Sequence, residues 1–399
     1  MIHLDHLITT KPLPEVFDLM QPWLKERFGS ASSLNQLGIE ARDAIDGARS
    51  SLAKLVNASH SEEIIFTSSG TEAINHAVKG SALANKRFGN HIVTTNIEHP
   101  AVNGSISWLE KQGFESTRIN VDNQGKFDPD ELEKSIQDNT VLVALHQANH
   151  DLGVIQPISE AATFTSQRGI PLFVDATLSG GWLPIDVHQL GVDLLALAPH
   201  RFYGPKGVGV LYKKRSSPVE SLIHGGMQEN ELRAGTENVA AIVGAGIAAI
   251  HAISEFDKRF HHTTKLQQQL LNGIRKIVGG IHLNGPEPGS ERLPHHLSIS
   301  TEGVEGEGQA LAMDLRGVAI HAGSACTTKS MQIPPSLSAI GRNADLARGT
   351  TLWGIGDTST EDEILETIDI FSIVTSKLRS ISPVSGLSKN RQWRLNHQV

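Results

Sequence analysis

Short, fully apolar segments alternate with amphipathic segments through the first two thirds of the chain. Five apolar-rich runs of six or seven residues, bounded by Gly, Pro, Asn or Asp, are typical of buried strands: HIVTTN, TVLVALH, PLFVDA, DLLALA and GVGVLY. Helical patterns lie between them, including EARDAIDGARSSLAKLV, DPDELEKSI and ISEAATFTSQRG. Strands that are apolar on both faces indicate a mostly parallel sheet covered by helices, so the sequence predicts an α/β fold.

The length of 399 residues predicts more than one domain, because single cores stop growing near about 250–300 residues. After a long helical stretch from Asn238 to Phe260, LPHHLSIST and VAIHAG resemble strands and EDEILETIDIFSIVTSKLRS a closing helix. We therefore predict a large domain over 16–260 and a smaller α+β domain over 261–384. The segment 1–15 is expected to pack with the small domain, and 385–399 to form a flexible tail.

Composition excludes several function classes. A formal charge of −8 gives no overall attraction to nucleic acid or anionic membranes, so neither is predicted as a partner. One cysteine excludes an intrachain disulfide and a multi-thiolate metal site, and no metal is predicted. No signal peptide is evident, and the apolar stretch VAAIVGAGIAAIHAI is shorter than the about 18 residues of a membrane span. These features predict a cytoplasmic protein.

Several strand ends carry residues suited to an anionic or aromatic ligand. Ser69, Gly70 and Thr71 lie between a strand and a helix, where backbone N–H groups can cradle a phosphate; an ordinary N-cap explains the same residues. Asp175 ends a buried strand, where it can pair with a protonated ring nitrogen or merely cap the next turn. His99 follows a strand in the same way, although a lone histidine is more often structural.

Three later segments add polar groups. His200 and Arg201 follow a strand, and Lys206 lies in the turn GPKG. Arg233 and Thr236 lie in a Gly-punctuated loop that is either an anion contact or a solvated connection. The last of these segments is IHAGSACTTK, in which small residues around Cys326 favour an accessible sulfur over a buried one.

Taken together, these blocks resemble the cysteine desulfurases of the NifS/IscS type, which belong to the class V aminotransferases among fold-type I pyridoxal phosphate (PLP) enzymes. The likeness runs from LDHLITT at Leu4 to about Glu366, through FTSSGTEAINHAVKG, IEHPAV, FVDATLSGG, HRFYGPKGVGVLY, HGGMQENELRAGTENVA and GSACTT. It implies a PLP-binding large domain, a small domain and a homodimer. It also implies a sulfur donor or acceptor protein as partner.

The resemblance also implies roles for individual residues. Cys326 matches the cysteine that attacks the substrate sulfur, while His99 and His200 match catalytic histidines beside the cofactor. The implied cofactor-binding set is Gly70, Thr71, His99, Asn149, Asp175, His200, Arg233 and Thr236, of which the last two reach across the dimer toward the phosphate.

Departures from the family pattern fall in the same pocket. Arg201 stands at the position of the Schiff-base lysine, and a guanidinium with a pKa above about 12 cannot condense with an aldehyde. Ala198 and Leu178 replace a serine and a glutamine that contact the cofactor. Leu352 replaces the arginine that clamps the substrate carboxylate, a contact that an apolar side chain cannot make. PLP is therefore expected to be bound only non-covalently or to be absent.

Three hypotheses follow. The first is a pseudoenzyme that has lost PLP catalysis and handles sulfur or regulates a partner, with Cys326 as its persulfide site. The second is an active PLP enzyme that holds the cofactor non-covalently, with His99 or His200 moving the proton. The third is a PLP-independent enzyme acting on another ligand. Lys206 is a poor substitute lysine, since the family keeps GPKG in addition to its catalytic lysine.

Overall fold

The computed structural model describes residues 1–323 and 333–381. The strands, in chain order, are β1 (Ile2–His3), β2 (Ile64–Thr67), β3 (His91–Thr95), β4 (Glu115–Ile119), β5 (Thr140–His146), β6 (Leu172–Asp175), β7 (Leu194–Leu197), β8 (Gly209–Lys213), β9 (Ile281–Leu283), β10 (His296–Thr301), β11 (Val318–Ala319), β12 (His321–Ala322) and β13 (Thr350–Gly354).

The helices are α1 (Pro14–Lys25), α2 (Gln36–Leu55), α3 (Gly70–Ala84), α4 (Pro100–Glu110), α5 (Pro129–Ser135), α6 (Ile158–Gln167), α7 (Val239–Ser254), α8 (Phe256–Ile277), α9 (Gly306–Asp314), α10 (Pro335–Ala339), α11 (Ala344–Arg348) and α12 (Glu361–Ile381). Short 3₁₀ turns cover Ser61–Glu63, Pro199–Arg201 and Gln228–Glu231.

A seven-stranded sheet, ordered β2-β8-β7-β6-β5-β3-β4, forms the centre of the fold. Its strands from β4 to β7 pair in parallel, whereas β8 is antiparallel to both β7 and β2. The predicted α/β class with a mostly parallel sheet is confirmed. Since parallel strands all end at one edge, the sheet brings the ends of β3, β5 and β6 together.

Both faces of this sheet are covered, which explains its continuous apolar strands. In β5, Val143 and Leu145 face a core layer shared with α1, α2, α6 and α7. Leu142 and Ala144 face the opposite layer, formed with α3 and α4. Because successive strand residues point to opposite faces, a strand that is buried on both sides needs apolar residues at nearly every position.

A second, four-stranded sheet has the order β12-β13-β10-β9. It packs on α8, α9 and α12 around a separate core that includes Leu270, Ile299, Trp353 and Phe371. At the other end of the chain, β1 pairs in parallel with β11. The predicted limits of the domains stay predictions, and the predicted tail over 385–399 lies outside the described residues.

The stretch from Asn238 to Phe260, expected as one helical segment, is divided between α7 and α8, which meet at an angle of 74°. The reason lies in the two cores: α7 is apolar nearly all round and buried in the large-sheet core, whereas α8 is amphipathic and turns its apolar side to the second core. Within the described ranges no single helix is long and apolar enough to cross a membrane; α7 and α8 pass such a test only as a bent pair.

Candidate active site

A small cavity lies where β5 and β6 end, at the carboxyl edge of the main sheet. Its volume is about 10 Å³, close to the space of one water molecule. The residues that line it are His99, His146, Ala148, His150, Asp175, Thr177, Leu178 and Arg201. A larger cavity of about 330 Å³, beside Ser59 and Arg215, contains none of the predicted site residues. The small cavity is therefore the candidate active site.

Asp175 is fixed at the last position of β6. The register of the sheet aligns it with His146 on β5 and Ala196 on β7. The side chain is buried, and its Oδ1 accepts the backbone N–H of Thr177 at 2.9 Å. The bond agrees with the interpretation of Asp175 as the cap of the next turn, and its carboxylate also lines the cavity. Its pairing with a ring nitrogen of a ligand stays a prediction.

His99 lies opposite Asp175 and begins α4. Its Nδ1 accepts the backbone N–H of Ala101 at 3.1 Å, which leaves Nε2 as the protonated nitrogen of a neutral ring. Burial lowers the pKa of His99 to about 4, although the carboxylate of Asp175 opposes this shift. The His150 ring packs edge-on against it, with 5.1 Å between the ring centroids. At neutral pH His99 is therefore a hydrogen-bond donor and carries no charge.

Arg201 extends into the same cavity from the 3₁₀ turn Pro199–Arg201. Its backbone is held by the indole of Trp182, whose Nε1 donates to the Arg201 carbonyl at 2.9 Å. Burial lowers the pKa of Arg201, and the charge of Asp175 acts in the opposite direction. Its Nε is inaccessible and has no hydrogen-bond partner among the described residues. Lys206, by contrast, is exposed at the surface.

His200 contacts the N-terminal segment and is absent from the cavity wall. Its Nδ1 lies 3.2 Å from the hydroxyl of Thr9, and its carbonyl accepts both the N–H and the hydroxyl of Thr10. Burial, followed by the charge of Arg201, lowers the pKa of His200 to about 4. His200 thus joins the start of the chain to the turn that carries Arg201.

The predicted phosphate turn begins α3. Ser69 caps the helix by accepting the N–H of Glu72 at 3.1 Å, as the N-cap interpretation predicts. A side chain at Gly70 would meet Thr177 at 2.9 Å and Ala198 at 3.1 Å, so only glycine fits between the helix and the cavity wall. Thr71 is exposed on the first turn.

The loop residues Arg233 and Thr236 lie near this turn without lining the cavity. The Nε of Arg233 donates to Glu72 at 2.9 Å, within the same chain. Thr236 is exposed. The role across a dimer that the resemblance implies for both residues stays a prediction.

Asn149 is completely buried beneath the cavity. Its Nδ2 donates to the carbonyl of Ile97, and its Oδ1 accepts the N–H groups of Asp151 and Leu152. These bonds shape the turn after β5 and bring His150 to the cavity. Its predicted contact with a cofactor stays a prediction.

Sequence reasoning missed two groups that the structure adds to the site. His146 forms a buried pair with Glu98, with 2.9 Å between Nδ1 and Oε2, and the Thr95 hydroxyl donates to the same carboxylate at 2.7 Å. His150 lines the cavity beside His99. The signal was present for His146, because it is the last residue of a predicted strand whose neighbour ends in Asp175.

An apolar wall closes the cavity on the side of the second sheet. Leu178 and Leu352, two of the departures noted above, pack in one cluster with Leu7, Ala148 and Leu293. Each of these side chains is nearly inaccessible. Cys326, the predicted sulfur-carrying residue, lies outside the described residues.

Comparison with known proteins identifies the family. The model of the Aminotransferase class-V family matches residues 2–348. Cysteine desulfurase IscS of Dictyoglomus turgidum is 42% identical over 99% of this chain and 98% of its own length. The chain belongs to the cysteine desulfurases of the class V aminotransferase family. Cysteine desulfurase IscS of Methanosarcina thermophila is 38% identical over 96% of this chain and 94% of its own length.

Solved cysteine desulfurase-like structures share the fold. A NifS-like protein, 31% identical, superposes with a TM-score of 0.88 over 94% of this chain and 99% of its own. SspA in complex with cysteine, 30% identical, gives 0.78 over 90% of this chain and 100% of its own. The predicted resemblance to this family is therefore confirmed.

The residues of this cysteine desulfurase homologue do not fit PLP in the arrangement found. The α3 turn, Asp175 and His99 have the types of group that the cofactor needs. However, the cavity that Asp175 and His99 share with the Arg201 side chain, about 10 Å³, has room for about one water molecule, which is too little for a pyridine ring. The apolar Leu178 and Ala198 supply no hydrogen bonds to a ligand.

Acidification is expected to destabilise the fold, because burial lowers the pKa of eight histidines in the described part of the chain. The pKa is about 4 for His6, His99 and His200 and about 3 for His296. Below about pH 6.5 the unfolded chain binds protons that the folded chain does not, so the free energy of unfolding falls as the pH drops toward 4. Burial raises the pKa of Asp5 to about 6, which offsets about one of these protons.

Calorimetry at neutral pH and near pH 5 measures this effect as a lower melting temperature in acid. The slope is about 1.4 kcal/mol per pH unit for each uncompensated proton. His261→Gln removes an exposed histidine and should leave the difference unchanged. Equal melting temperatures at the two pH values would contradict the prediction.

Proposed function

We propose that this chain is a sulfur-transfer protein of the cysteine desulfurase family that works without a Schiff base at residue 201. The observation that carries the proposal is Arg201, which points into the cavity beside Asp175 and His99. A guanidinium keeps its proton at any physiological pH, so none of its nitrogens has the free lone pair that an amine uses to condense with an aldehyde.

Cys326 is the residue proposed to carry sulfur. A thiolate can accept sulfur from a persulfide of another protein by attacking its terminal sulfur. The donor's S–S bond breaks, a new S–S bond forms at Cys326, and the donor leaves as a thiolate. Atoms and charge balance without an oxidant, so this transfer needs no cofactor.

A second form of the function is desulfurase turnover with PLP held non-covalently. The relatives favour this form over the loss of catalysis, since proteins 38–42% identical across nearly the whole chain are named cysteine desulfurases. Family membership also implies dependence on PLP. The cavity favours the first form, because Arg201 must move before a ring can enter.

One set of incubations tests the proposal. The native chain is mixed with L-cysteine and PLP, and released sulfide and alanine are measured. In parallel it is mixed with an active desulfurase that carries a persulfide, and mass spectrometry locates the added sulfur atom. We expect sulfur on Cys326 from the donor, no sulfur after Cys326→Ser, and no alanine.

Alanine and sulfide from the native chain would instead establish the second form. Unmodified Cys326 together with no turnover would refute both. Covalent attachment of PLP to the native chain would refute the premise concerning Arg201.

We propose a homodimer as the assembly and the cytoplasm as the location. Apolar side chains are exposed along the segment from α1 to the start of α2: Phe17 is 58% exposed, Leu24 68%, Phe28 78% and Leu34 90%. Exposed apolar side chains in one segment support a protein–protein interface, and a second copy of the chain is the partner that the family implies.

A further inference from the structure

Arg201 is a charged group without a direct partner. Its guanidinium forms no hydrogen bond or ion pair with any described residue, and its Nε is inaccessible to solvent. Other deeply placed arginines are well bonded: Arg292 donates to the carbonyls of Pro286, Asn284 and His296. A cation left in this state needs compensation from a nearby charge.

Asp175 supplies that charge. It lines the same small cavity, and its carboxylate is the group that favours the charged form of Arg201 against burial. The volume between the side chains, about 10 Å³, suits a single bridging water. The two groups are thus coupled through space, with no direct contact between them.

The residues around Arg201 are apolar on two sides. Leu178 belongs to the apolar cluster that seals one side of the cavity, and Ala198 is buried against Gly70 on another. Neither residue competes with Asp175 for the guanidinium. The side chain of Arg201 therefore rests in a slot whose only anion within the lining is Asp175 among the described residues.

We propose that Arg201 is an internal occupant of the ligand site, which neutralises Asp175 and excludes aromatic phosphates such as PLP from the native chain. The inference rests on the proposed function, because both start from a guanidinium at residue 201. The inference goes beyond that function because it assigns a role to Arg201 itself: the guanidinium takes the place of the ligand's cationic ring as the partner of Asp175.

Equilibrium dialysis with PLP tests the exclusion. The native chain should retain none, whereas Arg201→Ala should retain it non-covalently, with an affinity at least about tenfold higher. Lys206→Ala removes an exposed cation five residues further along the chain and should behave as the native chain. Saturable binding of PLP to the native chain would overturn the proposal, as would a folded Arg201→Ala chain that binds no better than native.

Rescue by guanidinium ion tests the pairing with Asp175 and does not depend on PLP. Millimolar guanidinium should raise the melting temperature of Arg201→Ala by refilling the slot. It should not do so for the native chain or for the double variant Asp175→Asn/Arg201→Ala. Equal responses in all three proteins would overturn the pairing. These readouts are separate from persulfide formation at Cys326, so failure of this inference and failure of the proposed function are distinguishable.

Discussion

Arg201→Lys is expected to give a chain that binds PLP covalently. A lysine amine has an ordinary pKa near 10.4, which burial lowers, so it can lose its proton and condense with an aldehyde. Lysine is also shorter than arginine and lacks the planar guanidinium, so the substitution leaves more space beside Asp175. We expect a visible absorption band, and a reduced adduct at residue 201 after borohydride treatment.

Two matched variants distinguish the effect of the lysine amine from the effect of the space that opens when the guanidinium is removed. Arg201→Met has a similar length and no amine, so it should give no adduct. Arg201→Ala opens the slot and should bind without covalent attachment. If the lysine variant folds but is colourless and unmodified, features other than residue 201 prevent the covalent binding of PLP.

Release of sulfide by the lysine variant should remain weak. The resemblance to the family assigns Leu352 to the position of its carboxylate-binding arginine, and Leu352 is buried in an apolar cluster with Leu178. An apolar side chain cannot form the paired, charge-assisted hydrogen bonds that orient an amino acid. Full activity from Arg201→Lys alone would show that another residue binds the carboxylate.

Much of this fold is predictable from local pattern. The apolar runs of the sequence predict the strands β5 and β7, because a strand that is buried on both faces must be apolar along most of its length. The sequence does not predict the division between α7 and α8, since a helical pattern continues across it while the core that each helix packs on changes. That core includes residues from α12, more than 80 positions further along the chain, which local sequence cannot reveal.

The sequence predicts which residues form the site, but it does not predict whether the cavity between them is open or filled. His99, Asp175 and Arg201 were selected from strand ends and from the family motif, and the structure brings all three to one cavity. The wall residue Leu178 packs in one cluster with Leu7, Leu293 and Leu352, which come from three distant segments. Whether a slot is open or filled depends on such long-range packing, so the sequence alone left both alternatives open.

Glu229→Ala is expected to destabilise the fold strongly and to loosen the loop that carries Arg233. The Glu229 side chain is 3% exposed and binds Arg49 through two bonds of 2.7 Å. It also accepts the N–H of Phe66 at 2.9 Å, which ties the loop to β2. Removing one partner of such a pair leaves the other charge uncompensated, at a cost of about 3–5 kcal/mol.

Urea denaturation measures this loss, and limited proteolysis reports the loosened loop. Glu231→Ala is the matched control, because Glu231 lies two residues away and is exposed. Glu229→Gln keeps the shape of the side chain and removes its charge. If charge compensation of Arg49 dominates, glutamine should be nearly as destabilising as alanine. If the bond to Phe66 dominates, glutamine should recover most of the stability, since its carbonyl oxygen still accepts that N–H. Unchanged stability in Glu229→Ala would show that the loop is held by contacts other than this ion pair.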